Sequence, residues 1–282
     1  MNGRNALLRV VFVAVSLISA VAQPVKIAGA DTLIFLGQRF VQQYEQKHSG
    51  QFSVTGGGTA AAKTGEADVL QSEGAAVLPR RVLFPVAVEA IVVYVNSSNP
   101  VKELSLGQLR RVFMGEITNW KELGGPDLTI HLYAGESTTG TLAFFQQAVL
   151  HDEEPYPFVG KSNTKALLEV IATDRAAIGY GSLDENPSTK SLPIKAGATS
   201  LAVAATIPNI RSLRYPLTRH IYWSVPSIAS QATREFCAWV LSSEGQLVAE
   251  GAGFEPVLPG DRSAGLSKLG IQETTSAMAS GR

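Results

Sequence analysis

A short apolar segment, a turn of small residues and a helical pattern follow one another three times in this 282-residue chain. The strand-like segments cover residues 25–27, which are mostly apolar, 51–55 and 129–133, and the turns after them are rich in glycine, threonine and serine. Strand and helix patterns that alternate along a chain are typical of α/β folds. We therefore predict an α/β protein in which three strands each lead through a small-residue turn into a helix.

These turns also indicate a possible ligand chemistry. The first turn of a helix leaves backbone N–H groups unpaired, and the helix dipole places partial positive charge there. Small residues let an oxyanion approach these groups, and hydroxyl groups add neutral donors. The same residues also serve as ordinary helix caps, and Asp31 or Thr32 is placed to cap the first helix. Composition alone leaves capping and anion binding open.

The middle of the chain contains its most strand-like stretch. Residues 82–95 are almost continuously apolar, which is typical of a strand covered on both faces. A helix is predicted directly after Ser105, with apolar residues at helical spacing up to Phe113 and Gly115 as its end.

The charge balance of the chain hides an uneven distribution. Lysine and arginine total 24, as do aspartate and glutamate, but residues 1–22 contain Arg4, Arg9 and no acid. The rest is mildly acidic, which argues against a nucleic-acid binder held by bulk charge. The apolar run 10–21 is short for a membrane span, and Ala20-Val21-Ala22 fits a cleavage site. We predict a signal peptide over 1–22, export of a soluble chain and no stable membrane insertion after cleavage; the alternatives are an uncleaved anchor or a buried helix.

Residues typical of catalysis or metal binding are sparse. The one cysteine, Cys237, lies in a helical pattern over 231–250, where a buried thiol is the ordinary interpretation. The four histidines are scattered without metal-ligand spacing, and known catalytic motifs are missing from the sequence. We expect no enzymatic activity, no metal and no cofactor.

Several short motifs, in the same order along the chain, carry a family resemblance that covers about residues 30–255. They are 88–96 (VEAIVVYVN), 99–101 (NPV), 104–106 (LSL), 117–125 (ITNWKELGG), 139–141 (TGT), 177–180 (AIGY), 215–219 (YPLTR), 241–246 (LSSEGQ) and 253–254 (GF). Together they resemble the phosphate-binding periplasmic receptors of ABC transporters.

The resemblance implies a type II periplasmic binding protein fold, in which two α/β lobes are joined by crossing strands and ligand binds in the cleft between them. Lobe one is expected at 23–90 plus 201–282 and lobe two at 91–200, with crossings near 88–95 and 192–202. Such clefts close about a hinge when the ligand contacts both lobes. The resemblance also implies a monomer that delivers phosphate or a related oxyanion to an ABC permease in the periplasm.

The phosphate contacts of the family can be transferred to this chain residue by residue. The resulting set is Thr32, the backbone N–H of Leu33, Thr59, Glu73, Thr139, Gly140 and Thr141. A carboxylate such as Glu73 can accept the proton of monohydrogen phosphate and repel sulfate, which has none at neutral pH. An alternative for Glu73 is that its side chain points out of the cleft.

Two departures from the family pattern lie in the turn before Thr139. Gly135 occupies the place of an arginine that binds phosphate, and Ser137 that of an aspartate. Loss of a charge-assisted arginine contact removes about 1.5–3 kcal/mol of binding free energy unless another cation replaces it. Arg80, Arg81 and Arg219 are the candidates, and the sequence does not distinguish them.

Two further interpretations follow from these departures and from the end of the chain. The missing arginine and the short 68–81 segment motivate a second hypothesis, a receptor-derived envelope or sensory module that acts through a protein partner and has altered or lost phosphate binding. The Ser-, Gly- and Ala-rich segment 261–282 is predicted to be a flexible extension.

Overall fold

The computed structural model describes residues 23–57, 67–75, 77–135 and 139–272. The strands are β1 (Val25–Gly29), β2 (Phe52–Thr55), β3 (Val69–Ser72), β4 (Arg81–Ala90), β5 (Val92–Asn96), β6 (Leu104–Ser105), β7 (His131–Gly135), β8 (Val159–Lys161), β9 (Ala177–Gly181), β10 (Thr189–Ser191), β11 (Ile194–Lys195) and β12 (Thr218–Pro226). The α-helices are α1 (Ile34–Tyr44), α2 (Leu106–Phe113), α3 (Thr139–Phe145), α4 (Thr164–Thr173), α5 (Ile207–Arg211), α6 (Gln231–Leu241), α7 (Ser243–Gly251) and α8 (Pro259–Lys268).

Two five-stranded sheets form the framework of the described residues. The first sheet has the order β2-β1-β3-β12-β4, in which β1 is parallel to β2 and β3 and β12 is antiparallel to β3 and β4. The second has the order β10-β5-β9-β7-β8, with β7 parallel to β8 and β9 and β5 antiparallel to β9 and β10. The predicted strands at 25–27, 51–55 and 129–133 are confirmed as β1, β2 and β7.

The chain crosses between the sheets within the apolar stretch that was predicted as one strand. This stretch contains β4 of the first sheet and β5 of the second, separated by Ile91. The N–H of Ile91 donates to the carbonyl oxygen of Leu217 at 2.9 Å, directly before β12 returns to the first sheet. The two crossings therefore lie side by side.

Each sheet has its own hydrophobic core. The first core includes Phe40, Trp223 and Phe236, and the second is built on β5, α2, α4 and β9. The buried side chains of Ile210, Tyr215 and Leu217 belong to the second core. The segment leading up to β12 therefore packs with the second sheet, although the sequence assigned residues after 200 to lobe one.

Local patterns predicted one helix start correctly and another wrongly. The predicted helix after Ser105 is confirmed as α2, and Ser105 caps it in a capping box with Gln108. Gly115, predicted as the end of this helix, follows it with a φ of 73°. Neither Asp31 nor Thr32 caps α1: a 3-10 turn (Asp31–Leu33) precedes this helix, and neither it nor α1 has a side-chain cap. Both side chains form hydrogen bonds with distant segments instead, Asp31 with Gly57 and Thr32 with Glu73.

The region after residue 230 also differs from its pattern. The predicted helix 231–250 is two helices, because Ser242 has an extended backbone and caps α7. Cys237 is a fully buried free thiol, as predicted. The prediction of a flexible extension from residue 261 is wrong over α8, where Gly265 packs against Leu241 and Phe84. Residues 273–282, like the predicted signal peptide 1–22, lie outside the described residues.

Candidate functional site

The end of β1 is brought against the end of β3 by close backbone packing. A Cβ at Gly29, whose φ is 149°, would lie 2.1 Å from the carbonyl oxygen of Gln71, so only glycine fits there. The N–H of Ala30 then donates to the same oxygen at 3.2 Å. This packing places the 3-10 turn that begins at Asp31 beside the residues after β3.

Two predicted site residues meet at this point. The hydroxyl of Thr32 donates a hydrogen bond to Oε1 of Glu73. Glu73 therefore faces Thr32 rather than bulk solvent, and its side chain is 25% exposed. Glu73 thus points toward a second residue of the predicted site.

Asp31 joins the neighbouring turn after β2 instead of capping its own helix. Its Oδ1 accepts a hydrogen bond from the N–H of Gly57 at 2.9 Å, and a Cβ at Gly56 would overlap that oxygen. Gly56 is therefore required by packing against Asp31. Thr59, which follows them, lies outside the described residues.

A buried arginine extends the pair of Thr32 and Glu73. Nη2 of Arg219 lies 3.1 Å from Oε1 of Glu73 and 2.7 Å from Oε2 of Glu89. Nε of the same arginine donates to Oε2 of Glu89 at 2.7 Å. Arg219 and Glu89 are also cross-strand partners in the register of β12 and β4. Thr32, Glu73, Arg219 and Glu89 thus form one continuous polar cluster.

Arg219 also contacts the helix that follows β7 in the second sheet. Its Cζ lies 4.1 Å from the ring centroid of Phe144, and its Nη1 donates to Oε1 of Gln147 at 3.5 Å. The ring of the next residue, Phe145, stacks on Tyr180 of β9 at 3.8 Å and so anchors α3 to its sheet. The polar cluster therefore lies where elements of the two sheets meet.

The third predicted turn opens α3. Thr139 and Gly140 are its first two residues, and Thr141 is buried. The helix continues without a break into a π-helical turn (Gln146–Leu150). The 3-10 turn that carries Thr32 packs against α3. The structure thus brings Thr32, Glu73 and α3 into one region, while Ser137 lies outside the described residues.

The predicted contact through the backbone of Leu33 is occupied by another partner. The N–H of Leu33 donates to the carbonyl oxygen of Ala30 at 3.0 Å, and its side chain is buried. A ligand at this N–H would have to share or replace that hydrogen bond. The role of Leu33 stays a prediction.

The cluster carries more negative than positive charge when its groups are ionised. Burial raises the pKa of Glu89 above its usual range; the adjacent Arg219 opposes this shift and Glu73 adds to it. Two carboxylates face one guanidinium, so the four side chains sum to one negative charge. A ligand that brings its own proton therefore fits this cluster better than a fully ionised dianion.

Glu89 was not singled out from the sequence as a site residue. It is the one acid in the apolar run 82–95, and it is 7% exposed. Because a buried carboxylate needs a compensating partner, its position in that run was a usable signal for a distant cation.

The described residues contain no group of three or more His, Cys, Asp or Glu side chains that could hold a metal ion. Among the same residues, no helix combines the length and hydrophobicity that crossing a bilayer requires.

Comparison with known proteins places this arrangement in a family. The model of the PBP superfamily domain matches residues 15–244, which is most of the chain. The chain belongs to the PBP superfamily. Members of this superfamily bind substrates and are not a family of enzymes.

Named relatives share moderate identity with this PBP superfamily member. The phosphate-binding protein PstS of Bacillus subtilis is 27% identical over 188 residues, which are 65% of this chain and 60% of the relative. Protein SphX of Synechococcus elongatus is 27% identical over 191 residues, or 63% and 56% of the two chains. The matches thus span about 60% of the length of these curated relatives.

Solved structures confirm the fold of this PBP superfamily member. A possible phosphate binding protein from Planctomyces limnophilus superposes with a TM-score of 0.79 at 19% identity and covers 89% of this chain and 99% of its own. An ABC-type phosphate transport receptor from Vibrio cholerae gives 0.66 at 22%, covering 83% and 100%. The predicted two-lobed α/β fold is therefore correct.

Proposed function

We propose that this chain is an exported solute-binding protein that captures phosphate or a related oxyanion and delivers it to an ABC permease. The observation that carries the proposal is the cluster of Thr32, Glu73, Arg219 and Glu89, which lies against α3. Two of the residues that the resemblance assigns to phosphate are in contact there. The names of the relatives from Bacillus and other bacteria support the same ligand.

The chemistry of the cluster favours a protonated oxyanion. Thr32 and Thr141 supply hydroxyl groups, and backbone N–H groups at the start of α3 add donors in a region of partial positive charge. The carboxylate of Glu73 accepts a hydrogen bond from the P–OH group of monohydrogen phosphate, and it repels sulfate, which has no proton to donate. No observation on the described residues favours the second hypothesis of a receptor-derived module.

We further propose that the cleft lies between lobes built on the two sheets. The side-by-side crossings at Ile91 and Leu217 supply the hinge. The packing of Ile210 and Tyr215 in the second core supports a lobe boundary near Leu217 instead of residue 200. Export to the periplasm, removal of residues 1–22 and a monomeric state complete the proposal.

Calorimetry with the exported chain, freed of ligand, tests the proposal directly. Phosphate and arsenate are expected to release heat and raise the melting temperature, sulfate to bind much more weakly, and a chromogenic phosphate ester to remain unhydrolysed. No heat and no melting shift at millimolar phosphate would refute the phosphate assignment.

The start of α3 is tested by one substitution and a matched control. Thr141→Ala is expected to weaken phosphate binding about 5-fold, since one neutral hydrogen bond contributes about 1 kcal/mol. Thr233→Ala removes another buried threonine, in α6 of the first core, and is expected to leave the affinity unchanged. Equal affinities for the two variants would remove Thr141 from the site.

A further inference from the structure

Arg219 lies at the crossing between the sheets and contacts groups from both. We propose that Arg219 is the cation that binds the oxyanion, in place of the arginine that this chain lacks at Gly135. The inference rests on the proposed function and adds a ligand-binding residue that the predicted set does not contain. It also gives Glu89 the role of a positioning residue that holds the guanidinium group.

Its place in the cluster puts Arg219 next to the predicted ligand contacts. Glu73 accepts a hydrogen bond from the hydroxyl of Thr32, and its Oε1 lies 3.1 Å from Nη2 of Arg219. These two donors therefore face the same carboxylate. An oxyanion held by Thr32 would therefore lie within reach of the guanidinium. A planar guanidinium suits this task, since it can donate two parallel hydrogen bonds to one oxyanion.

The hydrogen bonding of Arg219 leaves a donor for such a ligand. Nη2 is close enough to Glu73 and Glu89 for ion pairing, yet no acceptor in the described part of the chain completes a hydrogen bond to it with good geometry. The side chain is only 11% exposed, so water has limited access to this N–H group. An oxyanion oxygen in line with this N–H group would complete the hydrogen bond that the two carboxylates are not aligned to accept.

Glu89 and Phe144 hold the guanidinium in place. One oxygen of Glu89 binds Nε and also lies 2.7 Å from Nη2, which fixes one edge of the guanidinium plane. The ring of Phe144 lies 4.1 Å from Cζ and so covers one face. Such a preorganised cation loses little conformational entropy when a ligand arrives.

The other arginines named from the sequence do not reach this region. Arg81 donates to the carbonyl oxygens of Ala67, Asp68 and Ser224, and it pairs with Pro226 at the far end of β12. That end lies roughly 23 Å from Arg219 along the strand. Arg80 directly precedes Arg81 in the chain and shares that end of the sheet.

One lysine is a competing candidate. Lys161 pairs with Gly135 in the register of β8 and β7, so its backbone lies beside the position of the missing arginine. Its Nζ, however, lies 5.5 Å from the ring centroid of Tyr133. Lys161 therefore provides the matched control for the experiment.

The experiment measures phosphate affinity by calorimetry for the wild type and the variants Arg219→Gln, Arg219→Lys and Lys161→Gln. We expect Arg219→Gln to weaken binding about 10- to 100-fold, the range of a charge-assisted contact. Arg219→Lys is expected to fall between this variant and the wild type, because lysine keeps the charge but not the fork of donors. Lys161→Gln is expected to bind as the wild type does.

A double variant separates ligand binding from charge compensation. Arg219→Gln leaves Glu89 without its cation, whereas Arg219→Gln combined with Glu89→Gln removes both charges and keeps similar side-chain volumes. Melting curves check that each variant folds. If Arg219 binds the ligand, the double variant stays at least 10-fold weaker than the wild type. Restored wild-type affinity in the double variant would show that Arg219 serves only to neutralise Glu89.

Failure of the inference can be told apart from failure of the proposed function. A wild type that binds phosphate with the same affinity as Arg219→Gln overturns the inference alone. A loss confined to Lys161→Gln overturns it in favour of the lysine. A wild type that binds neither phosphate nor arsenate refutes both proposals.

Discussion

Gln246 ties α7 to three other parts of the lobe that holds the first sheet, namely β4, α6 and the segment before α8. Its Nε2 donates to the carbonyl oxygens of Val86 and Val240, and its Oε1 accepts from the N–H of Val257, each at 2.9 Å. Val86 lies at an irregularity in the pairing of β4 with β12, where it has no partner in the register. A side chain that is 3% exposed thus satisfies three main-chain groups at once. We predict that Gln246→Leu is strongly destabilising.

The size of the effect follows from those three bonds. Leucine has a similar volume and no polar atom, so two carbonyl groups and one N–H group lose their partner. A buried polar group without a partner costs about 1–3 kcal/mol, and the low end gives about 3 kcal/mol in total. For a chain of this size, each kcal/mol lowers the melting temperature by about 2–4 °C. The expected decrease is therefore about 6–12 °C.

Thermal unfolding followed by circular dichroism provides the assay. Wild type and variants must be free of phosphate, because a ligand that binds only the folded state raises the melting temperature. The control is Gln231→Leu, since Gln231 is exposed and its side chain donates to Glu235 within its own helix. Its effect is expected to stay within about 0.5 kcal/mol. Equal melting temperatures for the two variants would show that the three bonds of Gln246 do not stabilise the fold.

Three further predictions concern the same lobe. Gly245→Ala would place a Cβ 2.3 Å from the carbonyl oxygen of Trp239, so we expect a loss of about 1–3 kcal/mol in stability, and an unchanged melting temperature would contradict this. Burial lowers the pKa of His220 below its usual 6.5, and Asp261 only partly opposes this shift. The unfolded chain then binds the proton more tightly than the folded chain, so stability should fall as the pH drops below about 6.5, and His220→Gln should flatten that dependence in melts between pH 7.5 and 5. Burial also raises the pKa of the Cys237 thiol, so a disulfide reagent should label it only after unfolding in denaturant, and rapid labelling of the native chain would contradict its burial.

Local sequence patterns predicted those parts of the fold whose cause is local. Alternation of strand-like segments and turns predicted β1, β2 and β7, and Ser105 before apolar residues at helical spacing predicted the start of α2, because hydrophobic periodicity and caps act over a few residues. The same reasoning failed for Asp31. Its carboxylate binds Gly57, and no pattern within one helix turn reports a partner 26 residues away.

The composition of the last helix led to a wrong prediction of a flexible extension. The segment from residue 261 is rich in Ser, Gly and Ala, which is typical of an extension. It forms α8 because Gly265 lets the helix approach Phe84 and Leu241 closely. Close packing of small residues is a tertiary property, and the sequence of the segment alone does not display the surface that it meets.

By itself the sequence determined the α/β class and the family, and it predicted Thr32, Glu73 and Thr141 as ligand contacts. These predictions rest on periodicity and on short motifs, and both can be recognised in the sequence without the structure. The family resemblance implied a crossing near 88–95, and only the tertiary structure fixed it at Ile91, between β4 of one sheet and β5 of the other. It alone also decided that Arg219 is the cation of the cluster. Arg219 and Glu89 are 130 residues apart in the chain and meet only because β12 returns beside β4. Strand topology therefore determines which charged side chains meet at such a separation. The chain as a whole has a formal net charge of zero, whereas the cluster contains two carboxylates and one guanidinium.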